Sequence, residues 1–289
     1  MRHVLLTVIL VSAITLGAAP EFSVHRQDTS TATLRFAGGG VHTVDLRTIQ
    51  GSLHVSADGG SDVRLSMVRT VDAESDAAAD DGLRDVRIDT TDNAATIGAI
   101  VREPQGVACG ESSGGRSYSW WERPRYRVRV DVTARVPANS RIRLCTINGS
   151  DIEMTGVTGD FDVTNVNGSI TLGGLRGSGR ATTVNGPVTA TFDAPPRDAS
   201  IFKTINGTVT VTFPRSLAAD LRLKTFHGDL LTDFDVEALP TTARSQPESK
   251  NGRFIYRSNQ YTLVRAGGGG PELTLETLNG DVRVLRASR

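Results

Sequence analysis

The sequence predicts an all-β fold, a β-solenoid or β-helix-like stack of rungs about 20 residues long with Asn-Gly corners. Three observations predict it. A tetrad Thr-Φ-Asn-Gly, with Φ apolar, recurs as Thr146-Ile147-Asn148-Gly149, Asn165-Val166-Asn167-Gly168, Thr183-Val184-Asn185-Gly186, Thr204-Ile205-Asn206-Gly207, Thr225-Phe226-His227-Gly228 and Thr277-Leu278-Asn279-Gly280. Successive copies lie 19, 18, 21, 21 and 52 residues apart. Between copies, apolar residues alternate with polar ones, as at Ile142 and Leu144, Ile152 and Met154, Phe161 and Val163, and Ile170 and Leu172. Alternation of period two, rich in Thr, Val and Ile, is a strand pattern.

Each repeat therefore holds two short strands and two turns. One such unit buries four or five side chains at roughly 1.5–3 kcal/mol each. Ordering its backbone costs roughly 1–2 kcal/mol per residue, so a single unit is unstable and stacking must supply the rest. The Asn-Gly pair fits a type I′ hairpin turn or a solenoid corner with Asn left-handed and Gly following. Recurrence in step with the period favours the corner, where equivalent Asn side chains would stack as a hydrogen-bonded ladder.

Residues 1–19 read as a signal peptide: Arg2 and His3, an apolar run over residues 4–16, then Gly17-Ala18-Ala19. The run is too short to span a membrane, so an extracytoplasmic mature chain is expected: periplasmic, cell-surface or secreted. Residues 22–135 form an N-terminal strand region. Thr48-Ile49-Gln50-Gly51 is a degenerate tetrad, and the acidic, Ala-rich residues 71–82 are either a capping helix or a solvated loop. Residues 86–88 and 95–99 alternate as two more strands. Residues 103–124 break the pattern with Gly, Ser, Tyr118, Trp120 and Trp121, and a strand starts near Tyr126. Residues 136–289 are the regular repeat region, interrupted by a polar insertion at 239–270 that accounts for the wide gap before the last tetrad.

Net charge is zero, with 32 basic and 32 acidic residues and no run of one sign. That speaks against nucleic acid and anionic membrane surfaces as partners. Cys109 and Cys145, the only cysteines, suggest a disulfide in an exported chain, the alternative being a small core residue at Cys145 and a free thiol at Cys109. Asp151, Asp160, Asp162, Asp193, Asp229, Asp233, Asp235 and Asp281 are the carboxylates a β-helix glycosidase would need in pairs, but no repeat gathers a pair with Arg or His. They read as strand-ending, solubilising residues. No metal, cofactor or catalytic residue is expected. Tyr118, Trp120, Trp121 and Tyr126 are the candidate interaction residues, with end-capping as their alternative role.

The tetrads, residues 267–282 with their Gly run and Asn279-Gly280, and Ile49-Gln50-Gly51-Ser52-Leu53 resemble the bacterial β-strand repeat family known as the "putative adhesin" domain, over roughly residues 30–286. The resemblance implies a β-solenoid and no established activity. The resulting expectation is an exported, non-enzymatic envelope module that binds an envelope polysaccharide or protein. A polysaccharide-active β-helix enzyme and a periplasmic sensor partner are the alternatives.

Overall fold

The computed structural model describes residues 22–37, 39–102, 108–110, 125–149, 151–240, 248–250, 253–255 and 261–288. Their fold is all-β. β1 (Val24–Arg35), β2 (Thr43–Arg47), β3 (Leu53–Asp58) and β4 (Asp62–Ala73) precede helix α1 (Asp76–Asp85), and β5 (Arg87–Asp92), β6 (Thr96–Arg102) and β7 (Tyr126–Pro137) follow it. The regular repeats form β8 (Arg141–Cys145), β9 (Ile152–Thr155), β10 (Phe161–Thr164), β11 (Ile170–Leu175), β12 (Gly179–Thr182), β13 (Val188–Phe192), β14 (Ser200–Lys203), β15 (Val209–Phe213), β16 (Ala219–Lys224) and β17 (Leu230–Thr232). The C-terminal part adds β18 (Val236–Ala238), β19 (Glu248–Lys250), β20 (Arg253–Ile255), β21 (Thr262–Ala266), β22 (Glu272–Glu276) and β23 (Val282–Arg286).

Two mixed sheets face each other, and neither closes into a barrel. One runs β1-β4-β7-β3-β9-β11-β13-β15-β23-β17, the other β18-β21-β16-β22-β14-β12-β10-β8-β2-β6-β5. The chain crosses from one sheet to the other at each tetrad, so equivalent residues of successive repeats pair in parallel. Ile152 lies beside Ile170, Ile170 beside Val188 and Val188 beside Val209. Alternation sends Val188, Ala190 and Phe192 into the space between the sheets and Thr189 and Thr191 outward. Phe192 stacks on Phe213 at 4.9 Å and meets Phe202 edge-on at 6.0 Å, which fills the middle of the core.

The spatial order is not the sequence order. The last sheet-crossing pair, β22–β23, sits between β14–β15 and β16–β17. Leu273 is flanked by Ser200 and Leu221, and Val282 by Val209 and Leu230. The first crossing pair, β2–β3, is likewise one place in, between β8–β9 and β6–β7. The residues around Leu273–Leu285, final in sequence, are thus interior in space. Parallel pairing asks only for a matching corner and matching inward residues, and both interior pairs supply them.

The acidic stretch after β4 is a helix. Ser75 caps it by accepting the Ala78 N–H at 3.3 Å, and Asp76 and Arg84 lie at the dipole ends that favour them. Its buried residues are Ala78, Ala79 and Gly82, and the helix lies against β4 and β7. A Cβ on Gly82 would sit 3.0 Å from the Tyr126 ring. Among the described residues no helix is long and apolar enough to cross a membrane.

Candidate functional site

Each residue of the tetrad has a separate task at the corner. The Thr hydroxyl donates to the backbone carbonyl of the neighbouring corner glycine: Thr183 to Gly168 at 3.0 Å, Thr204 to Gly186 at 2.8 Å and Thr277 to Gly207 at 2.8 Å, all three residues buried, and half-buried Thr225 to Gly280 at 2.7 Å. Asn165 holds the Thr place in its copy and instead accepts the Val166 N–H at 2.8 Å within its own corner. The third residue builds a continuous side-chain ladder. Asn167 donates to Asn148 (2.9 Å), Asn185 to Asn167 (2.8 Å), Asn206 to Asn185 (2.7 Å) and Asn279 to Asn206 (2.7 Å), and His227 Nδ1 meets Asn279 at 2.9 Å.

The glycine is required by close approach. A Cβ on Gly186, Gly207, Gly280 or Gly228 would lie 2.0–2.3 Å from the carbonyl oxygen of the adjacent corner glycine. Positive φ falls on these glycines too, 144° at Gly186 and Gly280, and not on the Asn, where the tetrad alone predicts it. Gly168 shares it, whereas Gly149, in a corner one residue longer, does not. After two corners, and at the matching register place within β7, an Asp completes the brace. Asp131, Asp151 and Asp281 accept the backbone N–H of Ser52, Ser169 and Asp229 on the neighbouring strand. These carboxylates tie strands together, a task beyond the solubilising one read from sequence.

The second tetrad residue points outward, so the corners also carry an apolar column. It is half-buried at Val166 and Val184 and opens toward one end, where Ile205 is 43% exposed, Leu278 44% and Phe226 66%. This open end borders a surface cleft of about 240 Å³. Thr183, Thr204 and Thr277 form its floor, and Lys203, Lys224 and Glu276 its far wall. Parallel register brings those three charged residues side by side on β14, β22 and β16.

Lys203 Nζ lies 2.7 Å and Lys224 Nζ 3.5 Å from the Glu276 carboxylate, so two ammonium groups share one anion. Tyr261 donates its hydroxyl to Glu276 at 2.6 Å, and the Arg222 guanidinium lies 3.9 Å above the Tyr261 ring. Burial, with the Glu276 hydrogen bond behind it, pushes the Tyr261 phenol up to about 12. Burial opposes the Glu276 charge, but the bonds from Lys203 and Tyr261 outweigh it and hold the carboxyl below its usual range. The cleft combines an aromatic platform with a local excess of positive charge.

Of the candidate residues named from sequence, none that the structure describes lines this cleft. Tyr118, Trp120 and Trp121 lie outside the described residues, as do residues 1–19. Tyr126 packs half-buried beneath α1 and donates its hydroxyl to Asp85 at 2.8 Å, which makes it part of the framework. Cys109 and Cys145 are joined in a disulfide that fastens residue 109 to the end of β8. Arg47, held by Asp45 at 2.7 and 2.8 Å, donates to the Cys109 carbonyl at 3.4 Å. Among the described residues no three His, Cys, Asp or Glu side chains gather as metal ligands would. The Phe226 cleft escaped the sequence reading because Lys203, Lys224 and Glu276 are distant in the chain. Its one local sign is the fifth tetrad, where Phe replaces an aliphatic residue and His replaces Asn in the same copy.

No protein-family model matches the chain, and no curated protein matches it significantly. Two solved structures are similar over most of its length. One is a putative cell adhesion protein from Clostridium sporogenes ATCC 15579, 9% identical, covering 91% of this chain and 100% of that one, with a TM-score of 0.37. The other is a putative adhesin from Bacteroides fragilis NCTC 9343, 11% identical, covering 90% of this chain and 97% of that one, with a TM-score of 0.35.

Proposed function

We propose that the chain is an exported, non-enzymatic β-solenoid that serves as an adhesin-like binding module of the cell envelope. The solenoid reading rests on in-register parallel pairing of equivalent residues from successive repeats. The reading as an exported protein rests on the apolar N-terminal run and on the Cys109–Cys145 disulfide, a bond kept in oxidising compartments.

The observation that carries the binding role is the apolar column that ends on exposed Phe226 beside the Lys203–Glu276–Lys224 wall. Phe226 does not stand alone: with Ile205 and Leu278 it forms a contiguous exposed apolar strip along the cleft, and an apolar patch rimmed by polar residues is the pattern of a binding surface. A sugar ring set on Phe226 would bring an acidic substituent to the two lysines, so an acidic envelope polysaccharide is the ligand class that fits. The test is retention of the purified mature chain on immobilised acidic and neutral envelope polysaccharides, beside Phe226→Ala, Lys203→Ala/Lys224→Ala and Trp120→Ala/Trp121→Ala. Retention on the acidic polymer that falls at least tenfold in the first two variants supports the proposal. Retention lost only in the tryptophan variant, or none at all, overturns it.

A further inference from the structure

The two sheets have four outer strands among the described residues, and one differs from the rest. β17 and β18 span three residues each and β5 six, but β1 spans twelve. It pairs with β4 over its whole length without a register shift, and no described strand lies along its other side. None of its residues is buried. Natural edges are blunted by charged side chains, above all lysine, or by proline, bulges or shortness; β1 (VHRQDTSTATLR) is long and has no lysine, proline or bulge, and His25, Arg26, Asp28 and Arg35 are its ionisable residues.

Its charged side chains do not guard the open side either, because all four are engaged inward along the protein. His25 meets Asp72 at 2.7 Å and Arg35 meets Asp62 at 3.0 Å on β4. Arg26 reaches Asp76 and Asp80 of α1, both at 2.6 Å, and Asp28 holds Arg69 at 2.9 Å. What remains along the edge is a run of Thr and Ser whose outer backbone groups have no partner among the described residues, the template for one more strand.

We infer that β1 is a self-association edge, and that its occupant is β1 of a second copy of this chain, antiparallel about a two-fold axis through Thr29. The sequence is self-complementary in that register. Residues 24–34 pair with their own reverse: Thr29 meets Thr29, Asp28 meets Ser30, Gln27 meets Thr31, Arg26 meets Ala32, His25 meets Thr33 and Val24 meets Leu34. Each pair lies on one face of the joined sheet, and no like charges are opposed. Hydroxyl pairs such as Thr–Thr are favourable across strands, and a two-fold contact closes on itself, so association stops at the dimer.

Sedimentation equilibrium of the mature chain, read with two variants, tests this. The weight-average mass is expected to climb toward twice the monomer value with concentration. Thr29→Lys, which sets two ammonium groups against each other on the axis, is expected to hold the mass at the monomer value without lowering the melting temperature. Thr29→Cys is expected to give a covalent dimer on mild oxidation, since facing Cα atoms lie about 4.5–5.5 Å apart, within the roughly 4.4–6.8 Å a disulfide spans. Thr189→Cys, outward on β13 in the far half of the same sheet, gives none. A monomer at every concentration, or a dimer that survives Thr29→Lys with no Thr29→Cys crosslink, overturns the inference.

Discussion

The two long edges of the molecule, where the chain passes between its sheets, are built on opposite rules. On the corner edge the connections at 165–169, 183–187, 204–208, 225–229 and 277–281 are all of one length, and the corner at 146–151 is one residue longer. On the opposite edge the connections at 156–160, 176–178, 193–199 and 214–218 vary more than twofold. Backbones touch through glycine on both edges: a Cβ on Gly177 would lie 2.1 Å from the Gly159 carbonyl oxygen, as one on Gly186 would lie 2.3 Å from that of Gly168. Only the corner edge adds a continuous side-chain link from one repeat to the next, through the Asn ladder and the Thr hydroxyls. The opposite edge has no such ladder, so it absorbs the change of period from 18 to 21 residues. An unbroken ladder imposes uniform length, and its absence permits variation.

The largest effect should come from filling the backbone contact at a corner. Gly186→Ala places a Cβ 2.3 Å from a carbonyl oxygen that cannot retreat, so a loss of roughly 3–5 kcal/mol is expected in denaturant unfolding. Gly173→Ala, within β11, meets only a methyl at 3.4 Å and should change stability by less than about 1 kcal/mol. Equal losses would show that the close approach at Gly186 is not what its substitution disturbs. Next comes the disulfide at the corner edge. It joins residues 36 apart, and Cys109→Ser/Cys145→Ser should cost about 3–4 kcal/mol in the same assay.

Asn185→Leu removes one donated and one accepted ladder bond. At about 1 kcal/mol per bond it should lower the melting temperature by several degrees, as should Asn167→Leu; unchanged values in both would sink the ladder as a stabilising device. A Gly-Ser insertion between the exposed Asp198 and Ala199 should cost less than about 1 kcal/mol, whereas the same insertion between Gly186 and Pro187 should abolish cooperative unfolding. The smallest effect is on pH. The lowered Glu276 carboxyl contributes stability that is present above pH 4.5 and is lost as pH falls through its folded value. Tyr261 contributes below pH 10 and loses its contribution as pH rises through about 12. Glu276→Gln should flatten the acid limb of a thermal-stability profile, and one tyrosine should titrate near pH 12 by ultraviolet absorbance.

The corner edge was legible because three of its four residues have tasks that only their own chemistry performs: Thr reaches a carbonyl, Asn both donates and accepts, and Gly has no Cβ. The all-β class followed from the same repeats. The spatial order of the strand pairs was not legible. Most corners offer the same Thr, Asn and Gly, so Asn279 stacks on Asn206, 73 residues away, as readily as on a sequence neighbour. The cleft was hidden for the same reason, since its charged wall exists only once β22 lies between β14 and β16. Tyr126 misled because alternation with Arg125 and Arg127 marks a half-buried strand face, and only α1 reveals what covers it.

The interior position of β22–β23 sets a schedule. A chain leaving the ribosome makes β14–β15 and then β16–β17, but β17 has no native strand neighbour until residues 282–286 emerge. Until then two parallel edges stand open with matching corners, able to zip together and shut out the segment that belongs between them. Assembly therefore ends with a wedge driven in from the C-terminus, and a truncation before residue 272 would leave a molecule that closes on the wrong neighbour.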